Sequence, residues 1–441
     1  MKIQIDIPNN NIPERIYTIR TFLGLFSALN KIELSFNIIN RNAATILHID
    51  NQEIIINDSF WTTENDHACY INTNYLPIPT LSSQYKSLTS DRIIILYGND
   101  IIKFSSNRIV CEIDIFASVF FMLSRWEEQL QTKKDIHERY PISESIAFKY
   151  NFTHRPIVNE YVELFKTFIK KLNIINYPFR ERKFEVIPTH DIDSIFYRTS
   201  LKAFLGDLIK RRSLVCFFER ALSIFKDPVM TFDYLMENSE KANLKSHFYF
   251  MATNGEPYDP SNYTTTNRFT TIINNIKRRG HIIGFHAGYT TFNNHSKWSA
   301  QYNELVERIK INITEGRQHY LRWDSKETKQ IWSSNNMNID STLGYSEKPG
   351  FRCGTGDLFP IFDVNNRREL SLNERPLILM DTSFSKYNNA AEKCSEALKY
   401  YKLISEIYCM PLTILFHNSN FTSEWKGMKK IYSDFIQSLI L

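Results

Sequence analysis

From residue 183 to the end, short apolar runs alternate with helical stretches, and the rhythm is sustained for about 250 residues. The runs are FEVIPTH, SHFYFMA, HIIGFH, HYLRW, MNIDSTL, GFRCG, LILMDTS and LTILFHN. Stretches such as TFDYLMENSEKAN and SAQYNELVERIKINIT separate them. Each apolar run is too short for a helix and is flanked by turn residues, so it reads as a buried strand. Alternation of this kind predicts an α/β fold built as a distorted parallel barrel of seven or eight strands. Chemistry in such folds collects at the C-terminal ends of the strands.

The 441 residues, 43% of them hydrophobic, favour two domains over one. Residues 1–150 read as a smaller α+β unit, with a helix over 15–29, strand candidates TILHID, EIIIN and RIIILYG, and a hairpin in IIKFSSNRIVCEID. Apolar residues at 116, 119, 120, 123, 126 and 130 mark a helix with one buried face. Its Arg125, Glu127 and Glu128 read as a solvated charged face. Residues 151–182 carry an amphipathic linker helix, and the barrel takes 183–441.

Several function classes are disfavoured. A net charge of +5 is too weak to argue for nucleic acid, and no RNA-binding, zinc-finger or phosphate-loop pattern is present. The six cysteines are scattered with no pair at two-residue spacing, which predicts free thiols in a reducing compartment. The first residues lack an apolar signal-peptide core, and no run reaches the roughly 18 apolar residues of a membrane span. The expected location is cytoplasmic.

Polar residues stand where strands end. His190, Asp191 and Asp193 close the first run and His286 the third, while His319 sits at the start of the fourth. Arg352 lies in the sixth, Asp381 ends the seventh and His417 the last. One strand-end histidine is ordinarily a hydrogen-bonded structural residue. A set converging on one rim suits metal-assisted hydrolysis: a divalent ion held by His and carboxylate groups, a free carboxylate as base, and a histidine across the pocket as acid.

In order, THDID, GFHAGY, RQHYLRW, DSTLGY, GFRCGT and LFHN resemble the motifs of the polysaccharide deacetylases of carbohydrate esterase family four. Together with FFMLSRWEEQLQTKKDIHERYP they are similar to a bacterial subgroup with an extra N-terminal domain. The resemblance implies Asp191 as catalytic base, Asp193 and His286 as metal ligands, Arg352 as the partner of the base, and His417 as general acid. It also implies a divalent metal, usually zinc. Asp381 lies near where the family tunes the acid. The sequence departs from the family where Thr290 stands in place of a second ligand histidine. His319 is the preferred replacement, ahead of His190 and His295.

The resemblance thus implies a metal-dependent deacetylase acting on an acetylated sugar or glycan, nucleotide- or lipid-linked, in surface polysaccharide synthesis. A non-catalytic carbohydrate-binding or scaffolding relative is the alternative that Thr290 motivates, and a metal-dependent glycoside hydrolase is a third reading. Tyr289, Tyr320, Trp323 and Tyr345 beside the motifs are candidate sugar platforms or core. Residues 196–226 combine apolar helical spacing with Arg198, Lys202, Lys210, Arg211, Arg212, Arg220 and Lys226. Such a segment either covers the barrel with a solvated basic face or touches an anionic membrane peripherally.

Overall fold

The run FEVIPTHDI forms the strand that organises the C-terminal part. In the computed structural model, which describes residues 1–40, 44–61, 70–130, 132–197, 199–223 and 225–440, it is β1, Glu185–Ile192. Five further strands follow in order: β2 (His247–Phe250), β3 (Ile282–Ala287), β4 (Glu315–Gln318), β5 (Ile339–Asp340) and β6 (Leu379–Met380). The last is β7 (Pro411–Leu415). They lie in the order β5-β4-β3-β2-β1-β7-β6, every neighbouring pair parallel. Parallel neighbours with helices between them bury a strand on both faces, which is why β2, β3 and β7 are largely apolar, whereas β4, Glu-Gly-Arg-Gln, is buried although wholly polar. Because all seven point the same way, their C-terminal ends form one edge.

The chain divides into two units. Unit 1 comprises Met1–Phe184, Phe351–Pro376 and Ile404–Met410, and unit 2 comprises Glu185–Gly350, Leu377–Leu403 and Pro411–Leu441. The N-terminal unit therefore runs past residue 150. Helix Ile157–Lys171, read above as a linker, is part of its core, with Tyr161, Phe165 and Phe168 fully buried. A six-stranded mixed sheet runs Glu33–Ile39, Lys2–Pro8, Thr45–Ile49, Gln52–Ile56, Arg108–Ile113, Gly98–Phe104. Helices Ile12–Gly24 and Ile115–Ser124 belong to the same unit. The segment 351–376 joins it as well: Gly354 adopts φ 69°, its carbonyl accepts from Val158 N at 2.9 Å, and a Cβ on it would stand 3.0 Å from the Met122 methyl.

The expected solvated face at 125–128 is instead buried. Arg125 Nε meets Glu128 Oε1 at 2.9 Å, and Glu128 also takes Arg352 through Nε at 2.9 Å and Nη2 at 2.5 Å. Burial favours a neutral Glu128, but Arg352 and Arg125 override it and hold its carboxyl below the ordinary value. Cys111, Cys216, Cys353, Cys394 and Cys409 are free thiols, whereas Cys69 and Arg198 lie outside the described residues. Among the described residues, no helix is long and apolar enough to cross a membrane.

Candidate active site and metal centre

Successive strand ends of unit 2 supply the site in sheet order: Arg317 and His319 at β4, His286 in β3, Asp259 from the loop after β2, Asp191 and Asp193 at β1, His417 after β7, and Asp381 after β6. Side chains alternate along β1, so His190 faces away from Asp191. Its Nδ1 lies 2.8 Å from the Phe416 carbonyl and its Nε2 3.3 Å from Ser246 Oγ, and burial lowers its pKa to about 3. His190 is a neutral structural residue. His295, the remaining candidate ligand, contacts Ser334 and Asn335 through Nε2.

The three expected ligands come together. Asp193 Oδ1 lies 3.5 Å from His286 Nε2 and 3.6 Å from His319 Nε2, and one ligand atom of each residue falls within 4.8 Å of the others. The tautomers are fixed from behind. A carbonyl can only accept, so His286 Nδ1–H donates to Arg317 O at 2.9 Å, and His319 Nδ1 meets Asp259 Oδ1 at 2.7 Å. Both Nε2 lone pairs are thereby left facing Asp193.

Asp193 Oδ1 and His286 Nε2 are buried without a hydrogen-bond partner. Such orphaned atoms are costly unless a ligand satisfies them. Tetrahedral ligands bound to zinc at about 2.1 Å stand about 3.4 Å from one another. Two histidines and one carboxylate at 3.5 and 3.6 Å therefore fit a divalent ion with an open position, zinc most simply. Burial opposes charge on Asp193, but His286, His319 and His417 together hold its carboxyl below the ordinary value.

His319 was expected at a strand start, yet β4 ends at Gln318, so His319 stands on the rim. The turn that follows holds Tyr320 at φ 60° and Leu321 at φ 54°, left-handed backbone that bulky residues rarely adopt. Strain of this kind gathers at functional sites. Thr290 is engaged with Glu256 and with Lys297 Nζ at 3.3 Å. A nitrogen that could stand in for the one absent at 290 is offered by His319, just after the next strand.

Asp191 is the free carboxylate beside this centre. Its Oδ1 accepts from Arg317 Nη1 at 2.8 Å, and its Oδ2 lies 3.6 Å from His286 Nε2. Burial alone would raise its pKa, but Arg317 and then His286 bring it below the ordinary value, so it stays ionised. Arg317 is completely buried and held further by Ser341 O at 2.8 Å, Ser341 Oγ at 2.9 Å and Thr189 Oγ1 at 3.0 Å. The expected pairing of Asp191 with Arg352 is thus corrected: GFRCG forms no strand that would carry residue 352 to this rim, and Arg352 serves Glu128 in unit 1.

Across the centre, His417 Nε2 stands 4.0 Å from Asp193 Oδ2 and its Nδ1 meets Asp381 Oδ1 at 2.7 Å. Asp381 is anchored by the backbone N–H of His417 at 2.9 Å and by Asn420 Nδ2 at 2.9 Å. Burial lowers the His417 pKa, but Asp381 outweighs it, and with Asp193 and Asp191 raises it to about 10. A cation beside Asp193 would bring that value down.

Sequence reasoning missed Arg317 and Asp259. The first had a signal, an arginine inside a four-residue strand two positions before His319. The second sits in the loop GEPYDPSN, where no periodicity marks it. Asp259 also accepts the Tyr289 backbone N–H at 2.9 Å, so it fixes the His319 ring against the backbone. Asp259→Asn is expected to weaken zinc binding by about 10- to 100-fold, measured by calorimetric titration. Unchanged affinity would mean that the ring is positioned without it.

Comparisons with known proteins add little at this rim. Residues 3–174 match a family of unknown function (DUF7033), which lies wholly within unit 1. No curated protein matches the chain. Among solved structures, one assigned as a polysaccharide deacetylase from Mycobacterium smegmatis is similar at 15% identity, covering 59% of this chain and 85% of that one with a TM-score of 0.41. Another, from Pseudomonas aeruginosa PAO1 and described in the same terms, is 12% identical, with coverages of 58% and 85% and a TM-score of 0.37. At those values the likeness supplies no residue-level correspondence.

Proposed function

We propose that the chain is a metal-dependent hydrolase that removes an acetyl group from a sugar. The observation that carries this reading is that one strand edge gathers three groups of side chains. They are an ionised carboxylate clamped by a buried arginine, a His–His–Asp ligand set with unsatisfied atoms, and a protonated histidine backed by a carboxylate.

Asp193, His286 and His319 would hold the ion. A divalent metal there would polarise the acyl carbonyl and lower the pKa of bound water to about 7. Asp191 takes the proton of the attacking water, and Arg317 keeps that carboxylate ionised and oriented. Water oxygen bonds to the acyl carbon and the C–N or C–O bond to the sugar breaks. His417 gives its Nε2 proton to the departing nitrogen or oxygen, so acetate leaves and the sugar keeps an amine or hydroxyl. Asp381 steadies the imidazolium before that transfer.

Tyr258, Tyr289 and Tyr320 form a cluster with ring centroids 4.6 to 5.6 Å apart, beside Asp259 and His319. Aromatic faces of this kind suit the apolar face of a sugar ring. A nucleotide- or lipid-linked sugar of surface polysaccharide synthesis, met on the cytoplasmic side, fits this reading. A pure binding relative needs no base, clamp and acid together.

The activity test is acetate release from N- and O-acetylated sugars by the zinc-loaded protein, with His417→Ala as control. Absence of release from every acetylated sugar, with metal bound, would favour the binding reading. The acid has its own signature. Asp381→Asn removes the main charge that raises the His417 pKa, so the alkaline limb of the rate profile is expected to move to lower pH. A limb that does not move would assign it to another group.

A further inference from the structure

The segment that follows Asp193 turns its apolar side outward. Helix Leu214–Leu222 exposes Leu214, Val215, Phe218 and Leu222, each at 58% or more, and buries Arg220. The preceding turns, Leu201–Lys210, expose Leu201, Leu205, Leu208 and Ile209 and bury Asp207. Inside, Arg220 Nε pairs with Asp207 Oδ2 at 2.6 Å and its Nη2 with Glu424 Oε1 at 2.7 Å. Asp207 and Arg220 thus hold this helix pair to the rest of unit 2, while Leu201, Leu205, Ile209, Leu214, Phe218 and Leu222 face solvent. Of the 29 large apolar side chains exposed among the described residues, 11 lie between Phe196 and Met230. Six of the 11, Leu214, Val215, Phe218, Leu222, Phe225 and Met230, line a groove of about 810 Å³. An apolar patch this continuous is uncommon on a monomer with nothing to cover it.

We propose that this face docks on an anionic lipid bilayer. Lys202, Lys210, Arg212 and Lys226 are exposed around it and have no ion-pair partner among the described residues. Apolar side chains projecting from short helices, ringed by lysine and arginine, match the boundary between acyl chains and acidic headgroups. A second copy of the chain fits less well. A two-fold interface would set the same cationic rim against itself.

The face is tied to the candidate site. Asn418, next to His417, donates to Ser194 O at 2.9 Å and Val229 O at 3.2 Å, and Thr231 Oγ1 donates to Asn418 O at 3.0 Å. Docking would therefore bring the catalytic rim close to the bilayer, where a lipid-linked sugar resides. The docking surface itself does not depend on the metal centre.

The test uses the full chain and vesicle flotation, comparing phosphatidylcholine alone with a mixture containing phosphatidylglycerol. Binding is expected to the anionic vesicles and to be weakened by salt. Leu214→Ser, Phe218→Ser and Leu222→Ser combined should reduce it by about tenfold or more. Lys202→Gln, Lys210→Gln and Arg212→Gln combined touch only exposed side chains, so this variant should fold as the wild type while losing the preference for anionic lipid. No binding to anionic vesicles would overturn the proposal, as would binding that neither variant changes. A dimer dispersed by the serine variant, with no vesicle binding, would assign the face to chain–chain contact instead.

Discussion

Asp193→Ala is expected to purify without bound metal, whereas Asp191→Ala keeps its metal and loses turnover. The two carboxylates are two residues apart on the same strand end, yet they face different partners. Asp193 Oδ1 faces both free imidazole nitrogens at 3.5 and 3.6 Å, so removing it takes one of three ligands. Asp191 is occupied by Arg317 at 2.8 Å and approaches one of the two imidazole nitrogens, His286 Nε2 at 3.6 Å. Loss of a general base ordinarily costs about 10²- to 10⁴-fold in rate. Metal content by plasma emission and acetate release measured together separate the two variants. Equal metal in both would dissolve the assignment of Asp193 as ligand.

The second large effect concerns which arginine serves the base. Arg317→Met leaves Asp191 buried without its guanidinium, the largest influence opposing burial, so the carboxyl pKa rises even though His286 and His417 still oppose it. The acid limb of the rate profile should then move to higher pH, with a fall in rate on the neutral side as well. Removing one partner of a buried pair also costs about 3–5 kcal/mol of stability. Arg352→Met carries a similar stability cost in unit 1, because it strips Glu128 of one guanidinium, but it should leave the acid limb where it was. The pH profile distinguishes the two, since loss of stability alone moves neither limb. An acid limb displaced by Arg352→Met and not by Arg317→Met would restore the pairing that the motif order suggested.

The strand runs were readable because a strand covered on both faces is largely apolar, and β1, β2, β3 and β7 carry that mark, whereas β4, Glu-Gly-Arg-Gln, does not. Their polar ends were readable for the same reason, since a carboxylate closing such a strand needs a partner. What could not be read was the pairing at a distance. GFRCG has the apolar flanks of a strand, but Gly354 at φ 69° turns it against helix Ile157–Lys171. HYLRW looks like a strand and is a strained turn after one, which moves His319 from the beginning of an element to its end. Gly316 explains why Arg317 is held so close to β3: a Cβ there would stand 1.9 Å from the Phe285 carbonyl. The buried ion pairs at 125–128 escaped because charge on a helix normally faces water, and their partner Arg352 is more than two hundred residues away.

A zinc titration of metal-stripped wild type against His319→Ala tests whether His319 supplies the nitrogen that Thr290 lacks. One site per chain in the wild type, with binding weakened at least as far as in Asp259→Asn when His319 is removed, is the predicted result. Equal zinc affinity in His319→Ala and wild type would contradict it and place the third ligand elsewhere.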